Sequence, residues 1–229
     1  MIEQTMPRRR RVLALGTTVA ASAFGLSACG AAPVAPNAPM QPASPNDGPF
    51  RTTEQGVDPR VMLEGHDAVA YFTRGAAISG QPSITSRHRG LVWRFASTEN
   101  QAEFERNPSK YMPQFGGYCS NGINYAVPWG GGGAENTWRV YRGKLYVFGG
   151  QKARDHFEME TELNLQRAHH YWNVEIARNN PLVVRWTRLV LRVPHYKSDA
   201  ALQAEWEAQR AAGKLPVMPG QPQVVPSGA

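Results

Sequence analysis

The chain predicts a small α+β domain, in which a short antiparallel sheet packs against helices, followed by a C-terminal helical extension. Three observations carry this prediction. Leu91, Trp93 and Phe95 alternate with Val92 and Arg94, the period of two that marks a strand. The runs 137–141 and 144–148 flank Arg142-Gly143, which spells a β-hairpin. Apolar residues at 182, 186, 189, 190 and 193 recur at helical spacing.

The first 28 residues read as an export signal. Arg8-Arg9-Arg10-Arg11 is a positive leader, and 12–28 is an apolar run of small residues at the short edge for a membrane span. Arg9-Arg10-Arg11-Val12-Leu13 resembles the twin-arginine export motif, with Val where Phe is usual; a plain secretory signal is the alternative. Leu26-Ser27-Ala28-Cys29 resembles a bacterial lipobox, in which Cys29 is lipidated and becomes the mature N-terminus. Ordinary cleavage after Ala28, or a simple signal anchor, is the other reading. Acyl chains bury CH₂ groups at roughly 0.8 kcal/mol each, so such an anchor holds a chain on the lipid bilayer without a spanning helix. Gly30 in place of Asp after the Cys resembles the outer-membrane-sorted class. The expected location is therefore the cell envelope, lipid-anchored to the outer membrane and facing the periplasm. Residues 29–55 read as the lipidated N-terminus and a tether, because the Ala, Pro, Asn, Ser and Gln of 31–48 cannot bury apolar area.

The domain proper is expected over 56–177. Ala68 to Phe72 reads as a strand or a short buried segment after the turn Glu64-Gly65. The strand 89–95 follows. Ser97 then caps a helix that ends near Asn107-Pro108, and Pro108 restarts a turn that ends at Tyr111. Phe104 and Tyr111 are expected in the core. Gly116-Gly117-Tyr118-Cys119 is a turn entering an ordered segment, and 130–133 is a glycine loop without the Gly-Lys-Ser/Thr ending of a phosphate loop. Beyond the hairpin, 155–177 reads as one helix. The extension, 178–213, holds two more: 182–193, with Arg185, Arg188 and Arg192 as a basic stripe and Pro194 as its stop, and 199–213, capped by Asp199. Residues 214–229 read as a disordered, Pro-rich tail.

Composition narrows the function classes. The leader holds four Arg and one Glu, so the rest of the chain carries 21 basic and 17 acidic residues, a net +4. That balance gives no reason to expect nucleic acid as a partner. Six Trp, eight Tyr and eight Phe are ample core material. If Cys29 is lipidated, Cys119 has no partner for an internal disulfide, and it is either buried and inert or functional.

The blocks Gly65-His66-Asp67-Ala68-Val69-Ala70-Tyr71-Phe72, Phe95-Ala96-Ser97 with Asn100 and Phe104, Asn107-Pro108 with Tyr111, Pro113 to Cys119, and Gly143-Lys144-Leu145-Tyr146 resemble the YHS-domain family in its exported bacterial branch. The likeness spans about 62–172. It implies a small α+β module, often metal-binding. Metal-associated relatives carry Phe-Cys-Ser-x-x-Cys, whose thiolates suit copper or zinc. Here those two positions are Ala96 and Asn100, and His66 stands where the branch usually has Tyr, so the resemblance implies no ligand at 96 or 100.

The remaining soft ligand is Cys119, and with His66 and Asp67 it would make a small Cu or Zn site if the two blocks meet; otherwise Cys119 is core and Asp67 caps a turn. A nucleophilic pair of Cys119 and His66 lacks an identifiable orienting group, so the chain is expected not to be an enzyme. Tyr71, Trp93, Tyr118 and Tyr146 line an apolar ligand pocket in one reading and form the core of a small sheet in the other. His169 and His170 point about 100° apart on a helix and cannot chelate one ion. His88 and His156 are expected in solvent, as is the arginine stripe, unless it meets anionic lipid or a protein. The function expected is a non-catalytic copper- or zinc-binding envelope module; the alternative is a protein-interaction module that contacts an envelope partner through 182–213.

Overall fold

The computed structural model describes residues 49–50, 61–131 and 137–215; the leader, Cys29, most of the tether and the tail lie outside the described residues. Their order is α1 (Ala70–Thr73), β1 (Gln81–His88), β2 (Leu91–Phe95), α2 (Thr98–Arg106), α3 (Pro108–Tyr111), α4 (Ser120–Asn124), β3 (Trp138–Tyr141), β4 (Lys144–Val147), α5 (Gln151–Glu158), α6 (Thr161–Tyr171), a π-helical turn (Trp172–Ile176), α7 (Pro181–Val190) and α8 (Asp199–Ala211). This is an α+β arrangement with two antiparallel hairpins, β1–β2 and β3–β4. Among the described residues no helix is long and apolar enough to cross a membrane.

Each hairpin turns on an Arg-Gly pair with both residues in the left-handed region: Arg89 and Gly90 at φ 53° and 75°, Arg142 and Gly143 at 48° and 68°. Two positive φ values in sequence match the twist of the flanking strands, as in a type I′ turn. Arg89 therefore belongs to a turn and not to the strand expected to begin there. Its partner strand β1 has no sequence signal, because both of its faces are largely solvent-exposed and only Ser86 is buried.

Two apolar clusters form the core. One gathers Val69, Tyr71, Trp93, Phe95, Phe104 and Tyr111; the other gathers Phe115, Tyr118, Phe157, Leu165, Tyr171 and Trp172. Strand β4 stands between them. Leu145 and Val147 pack into the first cluster, while Tyr146 and the following Phe148 pack into the second. Successive side chains of a strand point to opposite faces, so one strand serves both cores.

Of the two readings of 68–72, strand or short buried segment, the structure has the second: a buried turn at Ala68-Val69 that leads into the short helix α1. Asp67 Oδ1 accepts hydrogen bonds from the backbone N–H of Val69 (2.9 Å) and Ala70 (3.3 Å), which fixes the first turn of α1. Ser97 Oγ caps α2 as expected, accepting from Asn100 N at 3.2 Å. The expected helix 155–177 is broken. Glu160 leaves helical geometry (φ −136°, ψ 53°), and Asn164 Nδ2 donates to the Phe157 carbonyl freed there at 2.9 Å. The cap of α8 is Ser198, whose Oγ accepts from Ala201 N; Asp199 is instead the first helical residue, paired with Lys152.

Two of the three arginines of the basic stripe turn inward, while Arg192 stays exposed. Arg188 is buried and grips Glu175 with two nitrogens at 2.6 Å each, and Arg185 donates twice to the Pro128 carbonyl. Both therefore face the domain and pin α7 to it.

Candidate functional site

A cavity of about 600 Å³ opens beside Cys119. Cys119 is the residue before α4, and the next turn brings the backbone N–H groups of Asn121 and Gly122 to its sulfur, joined by that of Gly149. Burial pushes the thiol pKa up; the three N–H groups oppose this without overcoming it, so Cys119 stays a neutral thiol at neutral pH. Beyond α4 the chain supplies Tyr125, Val127 and Trp129 as one wall. The facing wall comes from α5, where Lys152 and His156 stand four residues apart on one side of the helix. Leu189, Arg192 and Tyr196 form the rim where α7 ends, and α8 adds Leu202.

The polar groups of this site are ordered. Lys152 pairs with Asp199 at 2.5 Å, and this contact holds the Asp199 carboxyl below its usual range. His156 is only 4 % exposed, against the expectation that it lies in solvent; its Nε2 sits 3.3 Å from Gln203 Oε1. Lys197 pairs with Glu205 at 2.5 Å. Arg192 lies over the Tyr196 ring at 4.5 Å and, among the described residues, makes no ion pair. Behind the wall His195 stacks between Tyr125 and Tyr171 and contacts the Asn124 carbonyl through Nε2 at 2.9 Å. Burial, with the charges of Arg167 and Lys197 adding, lowers the pKa of His195 to about 4, so the ring is neutral and Nε2–H donates. Burial pushes Tyr125 up to about 12. The result is a concave, aromatic-walled chamber with a soft thiol at its floor and a cation at its rim.

The expected joint metal site does not form. Asp67 is fully buried and its carboxylate is spent on four N–H donors: Val69 and Ala70 on Oδ1, Ala96 N (2.8 Å) and Asn100 Nδ2 (2.6 Å) on Oδ2. Ala96 and Asn100 thus converge on Asp67 as donors. His66 Nδ1 contacts the Leu63 carbonyl at 2.9 Å. Neither His66 nor Asp67 lines the cavity that Cys119 lines. Among the described residues no group of three or more His, Cys, Asp or Glu is placed to hold a metal. These residues do not fit a copper or zinc centre, because a ligating carboxylate needs free lone pairs and Asp67 has committed its own.

Of the two readings of the four aromatics, pocket wall or core, the structure has the core. Tyr71 and Trp93 belong to the first cluster, Tyr118 and Tyr146 to the second, and none lines the cavity. His169 is also core, 4.9 Å from the Phe115 ring. Of the residues expected to form a metal or ligand site, only Cys119 reaches the cavity; His156, Arg192 and Asp199, read from the sequence as solvent-facing, as part of a basic stripe and as a cap, line it too. Lys152 lies ahead of the helix read from 155, so its pairing with His156 on one face carried no signal; Tyr125 and Trp129 come from the stretch after α4, Arg192 and Tyr196 from the stretch after α7, and neither stretch carries a ligand motif.

Comparison with protein-family models, with curated proteins and with solved structures finds no match in any of the three.

Proposed function

We propose that this chain is an exported, lipid-anchored binding module of the cell envelope, YHS-like in its domain, and that its cavity takes a small amphipathic organic anion. The cavity carries this reading. Its volume falls within the 300–1,000 Å³ or so usual for small-molecule sites, and its walls are largely apolar and aromatic with few polar groups. Lys152 and Lys197 each have a carboxylate partner, whereas Arg192 has none among the described residues. An anionic head at Arg192 with an apolar body on Tyr125, Trp129 and Leu202 satisfies both halves. A protonated thiol at the floor favours binding over nucleophilic catalysis, since the thiolate is the nucleophile. The lipobox at Cys29 and the block resemblance support the anchor and the family.

The test uses 1-anilinonaphthalene-8-sulfonate, an aromatic anion, titrated by calorimetry into the chain. Saturable binding at one site is expected, weakened at least about tenfold by Arg192→Ala and by the cavity-filling Ala153→Phe. Bound ligand should also slow methanethiosulfonate modification of Cys119. Binding that neither substitution alters would overturn the cavity as the site. Stoichiometric Cu(I) or Zn(II) binding lost in Cys119→Ala would restore the metal reading.

A further inference from the structure

We infer that α7 is an interfacial helix that lays its outer face on an anionic lipid bilayer. Leu182, Val183, Trp186 and Val190 are 54 %, 62 %, 67 % and 77 % exposed. At 3.6 residues per turn these four fall within an arc of about 100°. The opposite side carries Val184 and the Glu175-paired Arg188, both buried, so the orientation of the helix is fixed and the apolar arc faces outward. Leu191, next in the chain, is exposed as well.

Charge says what covers this face. Residues 176–198 contain no Asp or Glu, and Arg178, Arg185, Arg188, Arg192 and Lys197 lie within them. Arg188 is neutralised by Glu175. The exposed cations Arg178 and Arg192 stand at the two ends of the helix, flanking the apolar arc. An apolar arc carrying Trp, with cations at its edges and no acid of its own beyond the Glu175 that Arg188 neutralises on the inner side, is the composition of a helix lying in the plane of an anionic membrane surface. An apolar protein groove would not call for an acid-free rim.

Chain length permits the contact. Nineteen residues separate Cys29 from Pro49, which packs against Gly116 of the domain, so a lipid on Cys29 keeps the domain within about 70 Å of the bilayer at full extension. A ten-residue helix binds weakly alone; confinement near the surface raises its effective concentration and makes weak docking sufficient. The inference shares Arg192 with the cavity and otherwise does not depend on what fills it.

The test places an environment-sensitive nitrobenzoxadiazole label at Val190→Cys in the full chain carrying Cys29→Ser and Cys119→Ser, held at the vesicle by an N-terminal hexahistidine tag on a nickel-chelating lipid in place of the acyl anchor, with Arg87→Cys on β1 as the control site. Vesicles of phosphatidylethanolamine and phosphatidylglycerol carry brominated acyl chains. Quenching of at least about twofold is expected at 190 and none at 87, as for a face buried into the acyl boundary. The quenching should fall in 1 M salt, where the Debye length shrinks to about 3 Å, and in Arg178→Glu/Arg192→Glu. A label at 190 that stays in water while the chain sediments with the vesicles overturns the proposal. So does a label shielded without bromine quenching, which would mean that a protein, a second copy or another part of the chain covers α7. The Cys29→Ser and Cys119→Ser chain labelled at 87 must keep its native melting transition, which separates failed docking from failed folding.

Discussion

The carboxylate of Asp67 accepts a hydrogen bond from the side-chain amide of Asn100 at 2.6 Å, across 33 positions of sequence. The contact ties the start of α1 to the first turn of α2 and completes the four-donor shell of a fully buried acid. It also explains why the first conspicuous block of the sequence is structural. The same acid that suggested ligand chemistry is the staple that joins two helices to β2.

Removing that acid strands three backbone N–H groups and one amide. Asp67→Ala is expected to cost about 3 kcal/mol or more in urea unfolding, and Asn100→Ala about 1–2 kcal/mol. Asn100→Asp places a second carboxylate against the first, and its deficit should widen as pH rises through the carboxylate range. An Asp67→Ala variant with unchanged stability would refute the staple.

Gly116 should tolerate no side chain. It sits at φ 59°, and a Cβ there would overlap the Pro49 carbonyl. Gly116→Ala is expected to lose at least about 2 kcal/mol, from left-handed strain and from displacement of the 49–50 segment. Thermal melting of the variant checks this.

Stability should depend on pH through buried histidines. Burial, with Lys144 adding, lowers the His169 pKa to about 4, and His195 is likewise lowered to about 4. Between pH 4 and the ordinary value near 6.5, the unfolded chain binds more protons than the folded one, so stability rises with pH across this window. It is fully present above about pH 6.5 and is lost as pH falls toward 4. For His169, which is 2 % exposed, the window is worth on the order of 3 kcal/mol. Urea midpoints measured from pH 7.5 to 4.5 should fall steeply in the parent chain and less steeply in His169→Gln.

The Arg188–Glu175 pair should resist conservative exchange. Two guanidinium nitrogens reach the two carboxylate oxygens at 2.6 Å. A lysine offers one point charge to that fork, so Arg188→Lys is expected to cost about 1–3 kcal/mol. Limited proteolysis should then cut near α7 sooner than elsewhere, because this pair holds the helix to the π-helical turn.

The sequence revealed elements where burial is one-sided. Strand β2 and the second hairpin show the period of two, and α2 announces itself through Ser97. Strand β1 was illegible because an exposed strand has no apolar face to alternate. The helix over 155–177 read as continuous because Phe157, Leu165 and Trp172 keep helical spacing across a break made by the backbone at Glu160. Cys119 was recognisable as a site residue from its residue type alone. Its cavity was not, since the walls come from α4, the loop to Trp129, α5, the end of α7 and α8, and only folding brings them together.

Strand β4 has a consequence for how the molecule comes apart. Its alternate side chains belong to different cores, so neither core survives loss of the strand that the other also requires. Heat or urea should therefore undo both in one transition, and near-ultraviolet signals from Trp93 and Trp172 should vanish together. A chain cut between Tyr111 and Trp138 would yield two fragments, each lacking a wall, and neither half can serve as a minimal domain. What looks like two small domains sharing a ribbon is one cooperative unit.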